Sequence, residues 1–225
     1  MRRVFVAVMI GGVLLAARAA SAQFVPQFVP QAPKAADHGI SIAGQGGVAA
    51  VQNVGPSAAG MLTFRLNTFV EAIGEGVWIK DSASRRRIEA AKTIATYLQT
   101  SQGKPASGTL EIPAVVAGFG VRVMLVPPGH VRPYFVVTGG IAKLAFKPAF
   151  VLSGADVTTN LTQYGVTLGS DLTGEISKPA YGGGVGVLVD QGRWYLDGAL
   201  RVTSIQTEGQ PTNVLRAGGG IGIRF

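Results

Sequence analysis

The sequence predicts an all-β fold, an eight-stranded antiparallel up-and-down transmembrane β-barrel. Three observations predict it: segments in which apolar residues alternate with polar residues or glycine, connections that alternate between short and long, and a secretory signal at the amino terminus. A period of two places successive side chains on opposite faces of a strand. In a membrane-spanning barrel the apolar face contacts lipid and the other face lines a polar interior.

The last twelve residues, VLRAGGGIGIRF, show the alternation most clearly. Ile221, Ile223 and Phe225 share one face, whereas Arg216 and Arg224 share the other face with three glycines. The same pattern fits a strand of a soluble sandwich, whose polar face meets water. The rest of the chain is needed to decide between the two folds.

The composition helps to decide between membrane helices and strands. The chain has 225 residues, of which 14% are charged, and its mean hydropathy is +0.33. Such values normally suggest membrane helices, yet after the amino terminus no apolar run approaches the roughly 20 residues that a spanning helix needs. The apolar residues are instead spread through the alternating segments. The absence of cysteine is compatible with an oxidising compartment.

Residues 1–22 have the three parts of a secretory signal. They open with two arginines, continue through the apolar run 4–17 and end with the small residues ASA. We therefore predict cleavage between Ala22 and Gln23. The alternative is an uncleaved anchor, for which the apolar run is too short. Cleavage removes three arginines and no acidic residue, so the formal net charge falls from +8 to +5.

Residues 23–38 contain the tandem repeat QFVPQFVP followed by QAPKAADH. Pro26, Pro30 and Pro33 lack backbone donors and favour an extended, polyproline-like path. We predict a Pro-rich tether, with a peptide ligand for a partner domain as the alternative.

From residue 39 to residue 225 the chain forms one barrel domain of eight alternating segments. In the fifth segment the parity is ambiguous, because Val136 and Leu144 fall on the interior face and Lys143 falls on the lipid face. The predicted strands are 39–51, 58–66, 68–79, 109–126, 131–146, 180–189, 194–205 and 214–225.

The connections between these strands alternate in length. The second-to-third, fourth-to-fifth and sixth-to-seventh connections are tight turns, whereas residues 80–108 and 147–179 form long connections. A barrel whose ends face two compartments predicts this segregation, with short turns in the periplasm and longer loops outside. A sandwich gives no reason for it, and a helix-rich fold does not use such tight turns. The even strand number returns both termini, and with them the tether, to the periplasm.

Several stretches resemble the OmpA-like eight-stranded outer-membrane β-barrel family. They are the signal ending ASAQ, EIP at 111–113, RPYFVVTGGIA at 132–142, the hairpin GGGVGVLVDQGRWYLDGALR and the terminal GIRF. The resemblance covers residues 39–225. It implies a location in the bacterial outer membrane and insertion by the barrel-assembly machinery, which reads a terminal strand like the one that carries Ile221, Ile223 and Phe225.

The interior of such a barrel is just wide enough for side chains to fill it. We therefore predict a plugged, polar lumen in which ions pair, since an isolated ion there costs several kcal/mol. A structural salt-bridge network and an ion pathway are the two interpretations. With two more arginines than carboxylates, Arg224 and Arg65 are expected to be solvated near the periplasmic rim. The predicted inward charges are Arg65, Glu71, Glu75, Arg122, Asp197, Arg201, Arg216 and Arg224.

The sequence offers little catalytic chemistry. A lipid A deacylase of this architecture needs histidine beside a nucleophile at the outer end of the barrel, but His38 lies in the tether and His130 in a periplasmic turn. The glycine runs at 182–186 and 218–222 lie inside strands with no helix after them, unlike phosphate-binding loops. We predict no enzymatic activity, no metal, no cofactor and no nucleic-acid partner.

The first long loop carries a predicted short helix between the third and fourth strands. Residues 84–100 read SRRRIEAAKTIATYLQT, with apolar residues at helical spacing and Ser84 as a candidate cap. Two interpretations remain open: Arg85, Arg86 and Arg87 contact anionic lipopolysaccharide, or the helix simply covers the barrel mouth. The second long loop, rich in Thr, Gly and Ser over 153–177, is expected to be mobile and polar.

Two functions of different class fit these features. The first is a non-enzymatic barrel, embedded in outer-membrane lipid and lipopolysaccharide, that contributes to envelope integrity or surface interaction through its loops. The second is a channel of the OmpW kind for small solutes or hydrophobic compounds, which needs an apolar lumen or a gap in the wall.

Cysteine scanning tests the predicted faces of two strands, and the cysteine-free chain simplifies it. Single cysteines along 214–225 and 68–79 should alternate, every second position being quenched by a lipid-attached probe because it faces the bilayer. Quenching would be measured with a thiol-reactive fluorophore in vesicles. Uniform exposure to a water-soluble reagent on both faces would contradict the barrel.

Overall fold

The computed structural model describes residues 39–169, 172–207 and 211–225. Within these ranges the chain forms a closed barrel of eight antiparallel strands together with a small three-stranded sheet. The predicted signal at 1–22, its cleavage site at Ala22 and Gln23, and the tether at 23–38 with His38 lie outside the described residues. No helix in the described ranges has both the length and the hydropathy to cross a membrane.

The predicted fold class is confirmed, and each of the eight predicted segments contributes a barrel strand. Around the barrel the order is β1, β2, β3, β5, β6, β9, β10 and β11, which returns to β1. The strands are β1 (Ile40–Ala50), β2 (Val54–Arg65), β3 (Val70–Ile79), β4 (Ala106–Glu111), β5 (Ala114–Met124), β6 (Val131–Ala145), β7 (Lys147–Leu152), β8 (Ala155–Asp156), β9 (Glu175–Gln191), β10 (Trp194–Ile205) and β11 (Thr212–Arg224).

The final strand closes the barrel. β11 pairs with β10 on one side, where Trp194 lies opposite Ile223, and with β1 on the other, where Ser41 lies opposite Arg224. The backbone N–H of Phe225 extends this second ladder by donating to the carbonyl of Ile40 at 2.9 Å. Closure leaves no free edge strand, which a lipid environment requires.

The fourth predicted strand is wrong in one respect, because residues 109–126 belong to two strands of different sheets. β4 ends at Glu111 and β5 begins at Ala114. Between them Ile112 turns towards the first long loop, where its carbonyl accepts from the backbone N–H of Ser82 at 2.8 Å. Pro113 has no N–H to continue a ladder. The EIP stretch therefore separates two strands and does not open one.

The first long connection contains helix α1 (Arg85–Gln102), which confirms the predicted helix. Ser84 stands at the N-cap position, although its side chain makes no capping hydrogen bond. The helix ends at Gly103, whose left-handed conformation (φ 60°) stops it as an αL cap. Ala91, Ala95 and Leu98 form its buried face.

The second long connection contains more secondary structure than its composition suggested. It carries β7, β8 and a 3-10 helix (Thr158–Tyr164). Phe150, Leu152 and Leu161 are buried there. β7 pairs with β4 from the first long connection, so the two loops form one layer with α1. We call this layer, residues 81–112 and 146–168, the cap.

The core of the cap continues into the barrel. Leu98, Ile112 and Phe150 from the cap belong to the same buried apolar cluster as inward residues at the loop end of the barrel strands. This apolar seal lies where a polar lumen was expected. Its barrel members are Ala49, Val77, Ile79, Ala114, Val116, Ala142, Leu144, Ala180, Ile205 and Val214.

The structure resolves the ambiguous parity of β6. Val136 and Leu144 are buried inside, while Lys143 faces out and pairs with Glu175 at 2.6 Å.

The outer face of the barrel is mostly apolar. Large apolar side chains on the outer face include Ile40, Ile42, Leu62, Phe64, Trp78, Val115, Phe119, Val121, Phe135, Val137, Ile141, Tyr181, Val185, Val187, Trp194, Leu196, Leu200, Val202, Leu215, Ile221 and Phe225.

Candidate functional site

The candidate site is the polar interior of the barrel, between the apolar seal and the short-turn end. The eight charged residues predicted to face inward all lie there, and two further residues, Arg132 and Asp190, join them. Nine of these ten charges fall into three clusters, and Arg65 lies beside the first of them. They are the central cluster of Glu71, Arg122 and Asp197, the loop-side cluster of Glu75, Arg201 and Arg216, and the rim cluster of Arg132, Asp190 and Arg224.

In the central cluster, Glu71 and Arg122 face each other directly across the β3–β5 ladder. Arg122 Nε donates to Glu71 Oε2 at 2.9 Å, and Arg122 Nη1 lies 3.6 Å from Asp197 Oδ2. Arg65, opposite Glu71 on β2, approaches the same carboxylate at 3.7 Å. The short distances and deep burial make this a rigid, charge-assisted tie between strands.

Two uncharged side chains complete the central cluster. The Tyr134 hydroxyl donates to Asp197 Oδ1 at 2.7 Å, and Gln45 Nε2 donates to Asp197 Oδ2 at 2.8 Å. The Tyr134 ring also lies 5.1 Å from the Arg122 guanidinium, in cation–π geometry. Asp197 on β10 is thereby connected to β1, β5 and β6 across the lumen.

The loop-side cluster depends on one carboxylate. Glu75 pairs with Arg201, accepts from the Thr138 hydroxyl at 3.1 Å and lies 4.0 Å from Arg216 Nη2. Arg201 Nη2 also contacts Met61 Sδ at 3.2 Å. One negative charge therefore faces two guanidinium groups.

The rim cluster is the part that the sequence interpretation missed. Arg132 Nε lies 2.7 Å from Asp190 Oδ2, and Arg224 pairs with the other oxygen of the same carboxylate. The expectation that Arg224 is solvated is wrong, since only 4% of it is exposed. Its partner Asp190 was assigned to a turn, although β9 extends to Gln191 and points Asp190 inward.

A signal for both missed residues exists in the sequence. Arg132 has the same parity as Tyr134 and Thr138, whose side chains face inward. Asp190 has the same parity as Leu188, which is fully buried. Extending the alternation to the strand ends would have identified them.

The glycine runs serve the packing of two interior tyrosines. Gly186 is paired with Tyr134, and a Cβ at Gly186 would lie 2.4 Å from the tyrosine ring. Gly222 is paired with Tyr195, and a Cβ there would lie 2.2 Å from that ring. Each ring therefore occupies the space over its cross-strand glycine, an arrangement that pins strand register.

The other residues singled out in the sequence, on the terminal strand and at His130, lie outside the charge clusters. On the terminal strand Ile221 and Phe225 are about half exposed on the outer face, at 53% and 52%, whereas Ile223 is less exposed. His130 lies in the short turn after β5, with Nδ1 3.5 Å from the Asp190 carbonyl. The described residues contain no group of three or more His, Cys, Asp and Glu that would hold a metal ion.

The three arginines that begin α1 have different surroundings. Arg85 forms an exposed pair with Glu89 at 2.7 Å. Arg87 lies over the Phe146 ring at 4.7 Å, next to the barrel mouth. Arg86 is exposed on the outer surface of the cap. The three arginines therefore differ in exposure and in their contacts.

Comparison with solved structures identifies the class of fold. Neisserial surface protein A matches with a TM-score of 0.53 at 12% identity, over 83% of this chain and 97% of that one. The amino-terminal β-barrel domain of Pseudomonas aeruginosa OprF matches at 0.46 and 14%, over 82% and 97%. Yersinia pestis Ail, the attachment invasion locus protein, matches at 0.44 and 12%, over 83% and 96%.

Neisserial surface protein A is an eight-stranded outer-membrane β-barrel, and this chain has the same closed fold. The resemblance in fold that the sequence suggested is thereby confirmed. No protein-family model matches the chain, and no curated protein has a similar sequence either.

A double-mutant cycle tests the central cluster. Glu71→Leu and Arg122→Met should each destabilise the barrel by about 3–5 kcal/mol, because each leaves a buried charge unpaired. The double variant should lose much less than the sum of the two. Urea unfolding in lipid vesicles, followed by fluorescence of Trp78 and Trp194, measures these losses.

The exposed pair Arg85 and Glu89 provides the matched control. Arg85→Met and Glu89→Leu should change stability little, singly or together, since surface pairs contribute little. Additive losses at Glu71 and Arg122, like those of two unrelated sites, would show that the buried pair is not coupled.

Proposed function

We propose that this protein is a non-enzymatic bacterial outer-membrane β-barrel with a plugged polar lumen, and that it contributes to envelope integrity or surface interaction through its extracellular loops. The observation that carries this proposal is the two-sided wall: an apolar outer face around a filled interior. Such a wall suits lipid outside and leaves the cap as the surface available to partners.

The outer face supports placement in a membrane. Exposed apolar side chains recur on successive strands around the barrel, far beyond the patches that soluble monomers expose. Aromatic residues also stand near both ends, with Phe64, Trp194 and Phe225 towards the short turns and Trp78 and Tyr181 towards the cap. Aromatic girdles at the two interfaces are typical of transmembrane barrels.

The interior supports a plugged lumen. The central and rim clusters hold Arg122, Arg132 and Arg224 at 1%, 1% and 4% exposure. Towards the loop end the apolar seal continues from the barrel wall into the cap. A solute would have to displace both the paired charged side chains and the packed core residues, such as Phe150 and Ile112.

The proposed topology combines the sequence features of residues 1–38 with the barrel that follows them. We propose that residues 1–22 direct export and are removed, that 23–38 form a periplasmic tether and that 39–225 form the barrel. The short turns then face the periplasm. The terminal strand with Phe225 is the segment that the barrel-assembly machinery would recognise.

Planar bilayer recordings distinguish the plugged barrel from the OmpW-like channel. The purified protein is expected to show no sustained single-channel steps, because its interior is filled by side chains. The double variant Phe150→Ala/Ile112→Ala weakens the apolar seal but keeps the charge clusters, so it should not conduct either. Steady, sizeable steps from the unmodified protein would contradict the plugged lumen.

We also propose that the protein binds lipopolysaccharide, and that the arginines at the start of α1 make this contact. Replacing Arg85, Arg86 and Arg87 together with Ser should weaken binding to lipopolysaccharide micelles, because anionic lipid attracts a basic helix at its surface. Among single variants Arg86→Ser should have the largest effect, since Arg85 is paired with Glu89 and Arg87 packs on Phe146.

Arg193→Ser is the matched control for this experiment. Arg193 is exposed in the short turn between β9 and β10, at the opposite end of the barrel. Its loss should leave micelle binding unchanged. Equal binding by the triple variant and the unmodified protein would retire the lipopolysaccharide proposal and leave α1 as a cover for the barrel mouth.

A further inference from the structure

Among the most deeply buried charges of the described interior, the imbalance lies around Glu75. In the central and rim clusters the buried arginines Arg122, Arg132 and Arg224 meet an equal number of buried carboxylates, and the less buried Arg65 lies beside Glu71. In the loop-side cluster Glu75 alone faces Arg201 and Arg216. This cluster therefore carries one excess positive charge.

The excess charge lies on two deeply buried side chains. Arg201 is 4% exposed and Arg216 is 7% exposed. Guanidinium groups do not deprotonate in proteins, so the charge cannot be lost by titration. A buried ion without a counter-charge costs several kcal/mol. The loop-side cluster is therefore expected to have a further negative partner.

A cavity lies beside these two arginines. Its volume is about 20 Å³, and its lining includes Arg201, Arg216, Gln45 and Ser57. The space exists because inward positions on four adjacent strands carry glycine or alanine. These small residues are Gly47 on β1, Ala59 on β2, Ala199 on β10 and Gly218 on β11.

The two arginines that line this cavity also have unsatisfied donors. Neither Arg201 Nε nor Arg216 Nε has a hydrogen-bond partner among the described residues. Arg216 reaches Glu75 only at 4.0 Å through Nη2. The cavity thus combines unsatisfied buried donors, a net positive charge and room for a very small ligand.

We propose that this cavity is a binding site for one monoatomic monovalent anion, of the chloride and bromide class, held between Arg201 and Arg216. One such ion neutralises the excess charge and accepts hydrogen bonds from the unsatisfied N–H groups. A water molecule fits the volume but neutralises nothing. Phosphate and sulfate are too large, because the cavity holds about one water-sized particle.

Refolding in different anions tests the site. The protein is refolded from urea into detergent micelles in sodium bromide or in sodium gluconate of equal ionic strength, since gluconate cannot enter the cavity. At a bromide concentration tenfold above the dissociation constant, the Tm should be about 3–6 °C higher than in gluconate. Crystals grown from bromide should show an anomalous peak between Arg201 and Arg216.

Two variants and a control show where the effect arises. Arg216→Met removes the excess charge, and Ala59→Val fills the cavity while keeping every charge; both should abolish the difference in Tm between bromide and gluconate. Arg193→Met, which removes one exposed guanidinium from the short turn between β9 and β10, should keep it. If Arg216→Met does not fold, the Ala59→Val variant and the anomalous peak still test whether the anion binds at this cavity.

Three results would overturn the proposal. The first is the same Tm of the unmodified protein in bromide and gluconate. The second is an equal bromide effect in Ala59→Val and in the unmodified protein, which would place the ion elsewhere. The third is an anomalous map with no peak beside Arg216 in crystals from bromide. Conductance and lipopolysaccharide binding are independent of all three.

Discussion

The width of an eight-stranded barrel is the constraint on which the rest of this structure depends, because it leaves room only for the side chains of its own wall. Tyr134 and Tyr195 fit inside because the cross-strand positions opposite them are Gly186 and Gly222. Guanidinium groups fit because carboxylates on other strands meet them. The residues of one strand therefore restrict those of the strands around it.

The alternation of the sequence predicted the barrel strands well, because each strand has an apolar outer face and an inner face that packs against other strands. The bounds of β10, Trp194–Ile205, coincide with the predicted strand. The ends of other strands were less accurate, since pairing with a distant neighbour decides where a ladder stops. Asp190 illustrates this: its sequence is typical of a turn, but pairing with Tyr195 keeps it in β9.

The cap was harder to predict than the barrel. Helix α1 has a local period of 3.6 residues and was found, but β4 and β7 are strands of six residues each, from loops that are separate in sequence. Nothing near Phe150 in the sequence indicates that it will be buried. Its environment arises only when both loops come together over the barrel mouth. For the same reason the apolar seal was interpreted as part of a polar lumen.

The shared core of cap and barrel has a consequence for the order of assembly. The seal joins Ile79, Leu144 and Val214, which belong to three well-separated strands, with Leu98 and Phe150 from the loops. Contacts between such distant parts of a chain form late, because the loop-closure entropy must be overcome first. The cap therefore completes its packing only on a closed barrel, so that a compact cap marks a molecule whose strands have already joined in the correct order.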